Sequence, residues 1–189
     1  MKTLIRPAAV LFLLLTLVCC VLYPAAVTGI GNLAFADRAE GSLVQRDGRL
    51  AGSLLIGQAF SSPRYFWGRP SATSPMPDNA AASGASNFSQ SNPAQLDAVK
   101  ERIALLRAAD PDNALPVPVD LVTASASGLD PEISLAAAYY QAGRVARERR
   151  MTPDQVRALV DSHAQLPWLG LFGEPRVNVL ALNLALDAQ

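Results

Sequence analysis

Histidine and cysteine are nearly missing from this sequence of 189 residues, which has one of the first and two of the second. The histidine is His163 and the cysteines are the adjacent Cys19 and Cys20. A thiolate or imidazole metal site of three or four ligands cannot be assembled from them. Lysine is almost as scarce, since only Lys2 and Lys100 occur, and no lysine is placed to clamp a phosphate. Net charge is absent too: 16 basic residues balance 16 acidic ones, so nothing drives the chain toward nucleic acid by counterion release. Neither G-x-S-x-G, nor G-x-x-x-x-G-K-[ST], nor G-x-G-x-x-G occurs, which removes the nucleophile elbow, the phosphate loop and the dinucleotide fingerprint. Asp161-Ser162-His163 has the residue types of a triad, but neighbours on a helix point in different directions and cannot hydrogen-bond as one. No catalytic residue and no metal ligand set is expected. His163 suits a helix C-terminus, where the dipole is negative.

What is present in excess is hydrophobicity, and it is concentrated at one end. From Pro7 to Ala36 there is no charged residue, and Ala8 to Val27 is almost wholly apolar. Twenty residues at about 1.5 Å each span a bilayer core of about 30 Å. Lys2 and Arg6 precede the run, so the positive-inside rule assigns residues 1–6 to the cytoplasm, 7–30 to a transmembrane helix and 31–189 to the outside. Pro24 is expected to kink the far end of that helix. A cleaved signal peptide is the competing reading, with Ala34-Phe35-Ala36 as its cleavage site. An h-region usually has only about 7–15 residues, so the longer run favours an uncleaved anchor. Both cysteines fall inside the anchor, and the exported domain must fold without a disulfide. It keeps two more acidic than basic side chains once Lys2 and Arg6 are set aside.

Along the exported domain, Ser42–Arg46, Asp47-Gly48 and Arg49–Phe60 read as a β-hairpin, because Asp-Gly supplies the positive φ of a type I′ turn. Pro63, Pro70, Pro75, Pro77 and Pro93 break residues 61–92 into a long loop. Inside it Arg64-Tyr65-Phe66-Trp67-Gly68-Arg69 is the densest aromatic cluster in the chain. Such a block either anchors the loop to the core or forms a partner-binding patch. Asn92-Pro93 opens a helix with Leu96, Val99, Ile103 and Leu106 on one stripe, closed by Asp110-Pro111. A second helix is predicted from Asp130-Pro131 to about Arg150, with Ile133, Ala137, Tyr140 and Arg144 on one side. Thr152-Pro153-Asp154-Gln155 reads as a capping box opening a third. Alternating leucines over Arg176–Leu186 predict a strand, with a bulge near residues 179–180 where Val177 and Val179 fall out of phase. The fold class is α+β: a single N-terminal transmembrane helix followed by a small exported α+β domain.

Several strings in order over nearly the whole chain resemble the C subunit family of the Kdp potassium-transporting ATPase. They are GSLLIGQAF at 52–60, YFWGRPS at 65–71, SNP at 91–93, PVPVDLVTAS at 116–125, SGLDP at 127–131 and GEPRVNV at 173–179. Departures from the family pattern are Ala85 and Ala126 for glycine, Phe88-Ser89-Gln90 for Leu-Gly-Pro, Glu132 for histidine and Leu135 for proline. The resemblance implies a non-catalytic accessory subunit of a bacterial inner-membrane complex, beside a channel-like potassium-binding subunit and a P-type ATPase subunit. ATP, Mg and K would be used by that complex, with no cofactor of this chain's own. The Asp-Lys-Thr-Gly phosphorylation motif is absent here, so phosphoryl chemistry belongs to a partner. In the family this subunit is proposed to act as a catalytic chaperone that raises ATP affinity. Its nucleotide contacts would map to Ser125, Ser127, Gly128 and Gln141. The topology sets these a bilayer away from cytoplasmic ATP, so coupling through the membrane partners is the expected route. Tyr65, Phe66, Trp67 and Arg69 are the expected docking surface. The alternative function is a stand-alone exported ligand- or peptide-binding protein, released by signal peptide cleavage.

Anchor and signal peptide are separated by the N-terminus of the purified protein. Retention of the residues before Asp37 is expected, whereas a chain beginning at Asp37 would remove the anchor.

Overall fold

The computed structural model describes residues 2–189, in one compact unit ending at Leu43 and a second, Val44–Gln189. The first is dominated by a helical rod: α1 (Lys2–Thr16), a π-helical stretch Leu17–Leu22 and α2 (Tyr23–Ala34), followed by the single turn α3 (Ala36–Ala39). From Thr3 to Ala34 the rod is long and apolar enough to cross a membrane, and none of its most apolar window is buried within the chain. The expected disturbance from Pro24 takes the form of the π stretch. Proline has no N–H to give the carbonyl four residues back and its ring crowds that carbonyl, so the ladder is rewound just before it. The Tyr23 N–H accordingly reaches the Val18 carbonyl, five residues back. Cys19 and Cys20 are free thiols in this stretch.

The second unit is mixed α and β. Strands β1 (Leu43–Arg46) and β2 (Arg49–Ser53) form the hairpin, with Asp47 and Gly48 at φ 52° and 72°, as a type I′ turn requires. Helix α4 (Pro93–Ala109) is capped by the Asn92 side chain and stops at Asp110. Next come β3 (Glu132–Ser134), α5 (Leu135–Arg149), α6 (Pro153–His163), β4 (Ala164–Gln165), β5 (Arg176–Asn178) and α7 (Val179–Asp187). The sheet order is β3-β5-β4, antiparallel throughout, with Ile133 and Ala164 both opposite Val177. The capping box forms in full: Thr152 accepts from the Gln155 N–H and Gln155 accepts from the Thr152 N–H.

Helix α5 lies at the centre of the core. Ala137, Ala138, Ala142 and Ala146 are buried, and such short side chains let α6 and the sheet approach closely. Val156 and Val160 of α6, Leu182 and Leu186 of α7, and Ile133 and Val177 of the sheet complete it. Each large aliphatic side chain buried here is worth about 1.5–3 kcal/mol.

Three sequence expectations are corrected. The predicted strand over Arg176–Leu186 is strand only to Asn178, and Val179–Asp187 is helix. The leucines alternate at period two and on a helix fall on two opposite faces, but Val179, Leu180, Leu182 and Leu186 are all buried, so a helix covered on more than one side accommodates them. The helix is started by Asn178, whose Oδ1 caps it by accepting from the Ala181 N–H at 3.0 Å. No bulge lies near residues 179–180; the phase break there is the strand-to-helix junction. The helix predicted from Asp130-Pro131 begins instead at Leu135, capped by Ser134. The residues before it pair with β5, and the Pro131 carbonyl accepts from the Val179 N–H. Lastly, the second hairpin arm ends at Ser53 rather than Phe60, because the Gly57 N–H leaves the ladder for the Leu129 carbonyl.

Asn178 has a second task, donating from Nδ2 to the Leu54 carbonyl at 2.8 Å. Asn178→Ala is therefore expected to cost about 1–3 kcal/mol in denaturant unfolding of the detergent-solubilised chain. Asn178→Ser, which keeps a cap, should cost less.

Candidate functional site

Residues 60–70 run between α5 and α7 as a strap with no helix or strand. Proline and glycine deny it a ladder, yet Phe66 within it is 0% exposed, so its buried peptide groups need partners. Two side-chain amides supply them. Asn183 of α7 accepts from the Phe66 N–H at 2.9 Å and donates to the Phe66 carbonyl at 3.0 Å. One residue on, Gln141 of α5 accepts from the Trp67 N–H at 2.8 Å and donates to the Trp67 carbonyl at 3.1 Å. Each amide thus copies the donor–acceptor pair of a neighbouring strand. Both are 1% exposed.

Arginines hold the rest of the strap. Arg144 donates to the Pro63 carbonyl, to the Tyr65 carbonyl at 3.1 Å and to Gln141 Oε1 at 2.7 Å. Its guanidinium lies 4.3 Å from the Trp67 ring centroid, a cation–π stack. Burial pushes Arg144 down to about 10, with Asp110 and Glu148 working the other way, so it stays charged at neutral pH. Arg149 donates to the Arg64 and Leu186 carbonyls and to Asp187 Oδ1 at 2.6 Å, and stacks on Tyr65. Arg46 and the Tyr65 hydroxyl both donate to Asp187 Oδ2. Burial pushes the Asp187 carboxyl up, but the hydrogen bonds from Arg149, Arg46 and Tyr65 outweigh it and hold the group below the usual carboxylate range.

Of the expected docking residues, the structure encloses Phe66 in the core, where no partner can reach it, and that assignment is corrected. Tyr65, Trp67 and Arg69 are half-buried. Arg69 pairs with Asp130 at 3.0 Å. Trp67 and Arg69 line an open groove of about 500 Å³ together with Arg102 and the exposed Leu105 of α4.

The residues expected to touch nucleotide are placed differently. Gln141 spends both lone pairs of Oε1 on Trp67 and Arg144 and both hydrogens of Nε2 on the Trp67 and Ala137 carbonyls. It has no capacity left for a ligand. Ser125–Gly128 is a tight turn: the Gly128 N–H bonds the Ser125 carbonyl and the Ser127 carbonyl accepts from Gly84 N–H and Ser83 Oγ. Gly128 has φ 68°, and a Cβ there would lie 2.7 Å from the Gly84 carbonyl oxygen, so only glycine fits. Of the four residues, Gln141, Ser125 and Gly128 are buried and Ser127 is exposed. His163 ends α6 as expected, its Nδ1 beside the Leu159 carbonyl. Among the described residues no group of three or more His, Cys, Asp or Glu is arranged to hold a metal ion.

Sequence reasoning missed Asn183, Arg149 and Asp187. Asn183 had a signal, being the one polar residue inside VLALNLAL. Arg144 had one too, as the charge on the apolar stripe of α5.

Fold and site together define a chain with one N-terminal helix long and apolar enough to cross a membrane, joined to an α+β unit whose polar centre binds its own backbone. Residues 5–188 match the family described as KdpC: K+-transporting ATPase, c chain. The chain is 68% identical to the potassium-transporting ATPase KdpC subunit of Herminiimonas arsenicoxydans over 99% of its own length and 98% of the relative's. It is 65% identical to that of Janthinobacterium sp. (strain Marseille), over 99% of both chains. With the same subunit of Methylibium petroleiphilum it shares 64%, over 100% of this chain and 99% of the other. The chain belongs to the KdpC family of potassium-transporting ATPase subunits.

Gln141→Ala strands a buried N–H and a carbonyl and is expected to cost about 2–4 kcal/mol in unfolding free energy. The Asp187 carboxyl, depressed in the folded state, adds stability above the ordinary carboxylate pKa of about 3.9. That contribution is lost as pH falls through the lower folded-state value. An acid titration of unfolding should show Asp187→Asn less stable at pH 7 and flatter below about pH 4.

Proposed function

We propose that the chain is a non-catalytic accessory subunit of an ATP-driven potassium uptake complex in a bacterial inner membrane. It assembles with, and stabilises, a channel-like potassium-binding subunit and a P-type ATPase subunit. Its N-terminus is cytoplasmic and residues 31–189 are extracytoplasmic, following Lys2 and Arg6. ATP, Mg and K are handled by the partners. Any rise in ATP affinity of the ATPase subunit reaches it as coupling through the membrane, not as a contact made by this chain.

The observation that carries the reading is the committed state of Gln141. A glutamine 1% exposed, with every donor and acceptor used on its own fold, supports a structural role at the position where the family proposal would set nucleotide. The spanning helix adds support, because none of its most apolar window is covered by the chain itself. Docking is assigned to the groove edged by Trp67, Arg69 and Leu105, an apolar surface with arginines beside it.

Trp67→Ala, Arg69→Ala and the surface change Leu105→Glu should each lower co-purification of the complex at least about fivefold, with circular dichroism of the isolated chain unchanged. Normal yield from all three removes the groove from the interface. For the function itself, a strain lacking this chain should fail to grow at micromolar potassium and recover when the chain is restored. Photolabelling of this chain by an ATP analogue, lost in a Gln141 variant that still folds, would overturn the indirect route.

A further inference from the structure

Strands β4 and β5 continue into a hairpin tip, residues 166–173, that the site above does not use. Its sequence, LPWLGLFG, has no charged residue. Leu166, Trp168, Leu169, Leu171 and Phe172 are all between 63% and 81% exposed. The tip is closed by reciprocal hydrogen bonds between Trp168 and Phe172, whose rings lie 5.7 Å apart. Leu169 and Gly170 turn the chain at φ 55° and 70°. The first of these positions ordinarily favours asparagine or glycine, so a leucine is held outward there against its backbone preference.

We propose that this tip inserts into the interface of the lipid bilayer that the N-terminal helix crosses, as a second membrane contact. Five large apolar side chains on a protruding turn leave none of them sheltered by the fold, and water-facing clusters of this kind mark interaction sites. A protein partner is normally chosen through charged or hydrogen-bonding groups beside the apolar ones, and the tip offers only the indole N–H. A bilayer interface needs no such match: leucine and phenylalanine enter the acyl boundary and tryptophan sits at the headgroups. The tether suits this occupant too. Only residues 35–43 separate the spanning helix from the second unit, about 30 Å when fully extended, so the unit cannot leave the neighbourhood of the membrane. The inference does not depend on the assembly reading, since the chain alone brings both tip and anchor.

The test uses the full-length chain with Cys19→Ala and Cys20→Ala, carrying a nitrobenzoxadiazole probe on Leu169→Cys. A second version carries the probe on Asp154→Cys, at the exposed start of α6. Both are reconstituted without other subunits into phosphatidylcholine–phosphatidylglycerol vesicles containing nitroxide-labelled acyl chains. Quenching at position 169 is expected to exceed that at 154 by about threefold or more, and to fall to the level of 154 when Trp168→Asp and Phe172→Asp are added. Equal quenching at the two positions overturns the proposal. So does a probe at 169 that stays in water in these vesicles and is shielded only when the other subunits are co-reconstituted, which would make the tip a protein-docking element.

Discussion

A folded chain cannot leave a buried peptide group unpaired, and in this protein that constraint falls on residues 66 and 67. The Phe66 ring is needed inside the core, but the strap that delivers it has no neighbouring strand. Asn183 and Gln141, from two different helices, therefore provide the missing donors and acceptors. Because the two clamped residues are consecutive, α5 and α7 are held in register with the strap and with each other. Sliding α5 by one residue would unpair Gln141 from Trp67, and sliding α7 would unpair Asn183 from Phe66.

The arginines extend the same logic outward. A guanidinium offers several donors in one plane, so Arg144 collects two strap carbonyls and the Gln141 oxygen while its face covers Trp67. Arg149 repeats the pattern at Tyr65, with Asp187 balancing its charge. In a unit with no cysteine, this layer of charge-assisted hydrogen bonds ties a long irregular segment to the core where a disulfide is not available. It also makes that attachment sensitive to acid through one carboxylate.

For the accessory role we propose, this centre matters by what it occupies. The residues with the most hydrogen-bonding capacity are saturated by the protein's own backbone, which leaves surfaces and not a reactive pocket to act on partners. The exposed apolar features are the long N-terminal helix, the groove beside Leu105 and the tip around Trp168. A subunit built this way works by where it sits.

Local chemistry was legible wherever a signal is confined to a few neighbouring residues. The long apolar N-terminal helix, the Asp47-Gly48 turn, the Asn92 cap and the Thr152–Gln155 box are all of this kind, because each bond closes within one turn of chain. The family was legible for the same reason, through short strings in fixed order. Leucines in Val179–Asp187 pointed to a strand by their alternate spacing, and the segment is a helix because the core covers it on more than one side, which neighbouring residues do not reveal. Nor could the order of residues say that Gln141 and Asn183 face the strap. Those bonds join positions 74 and 117 residues apart, and such pairings exist only once the core has brought three segments together.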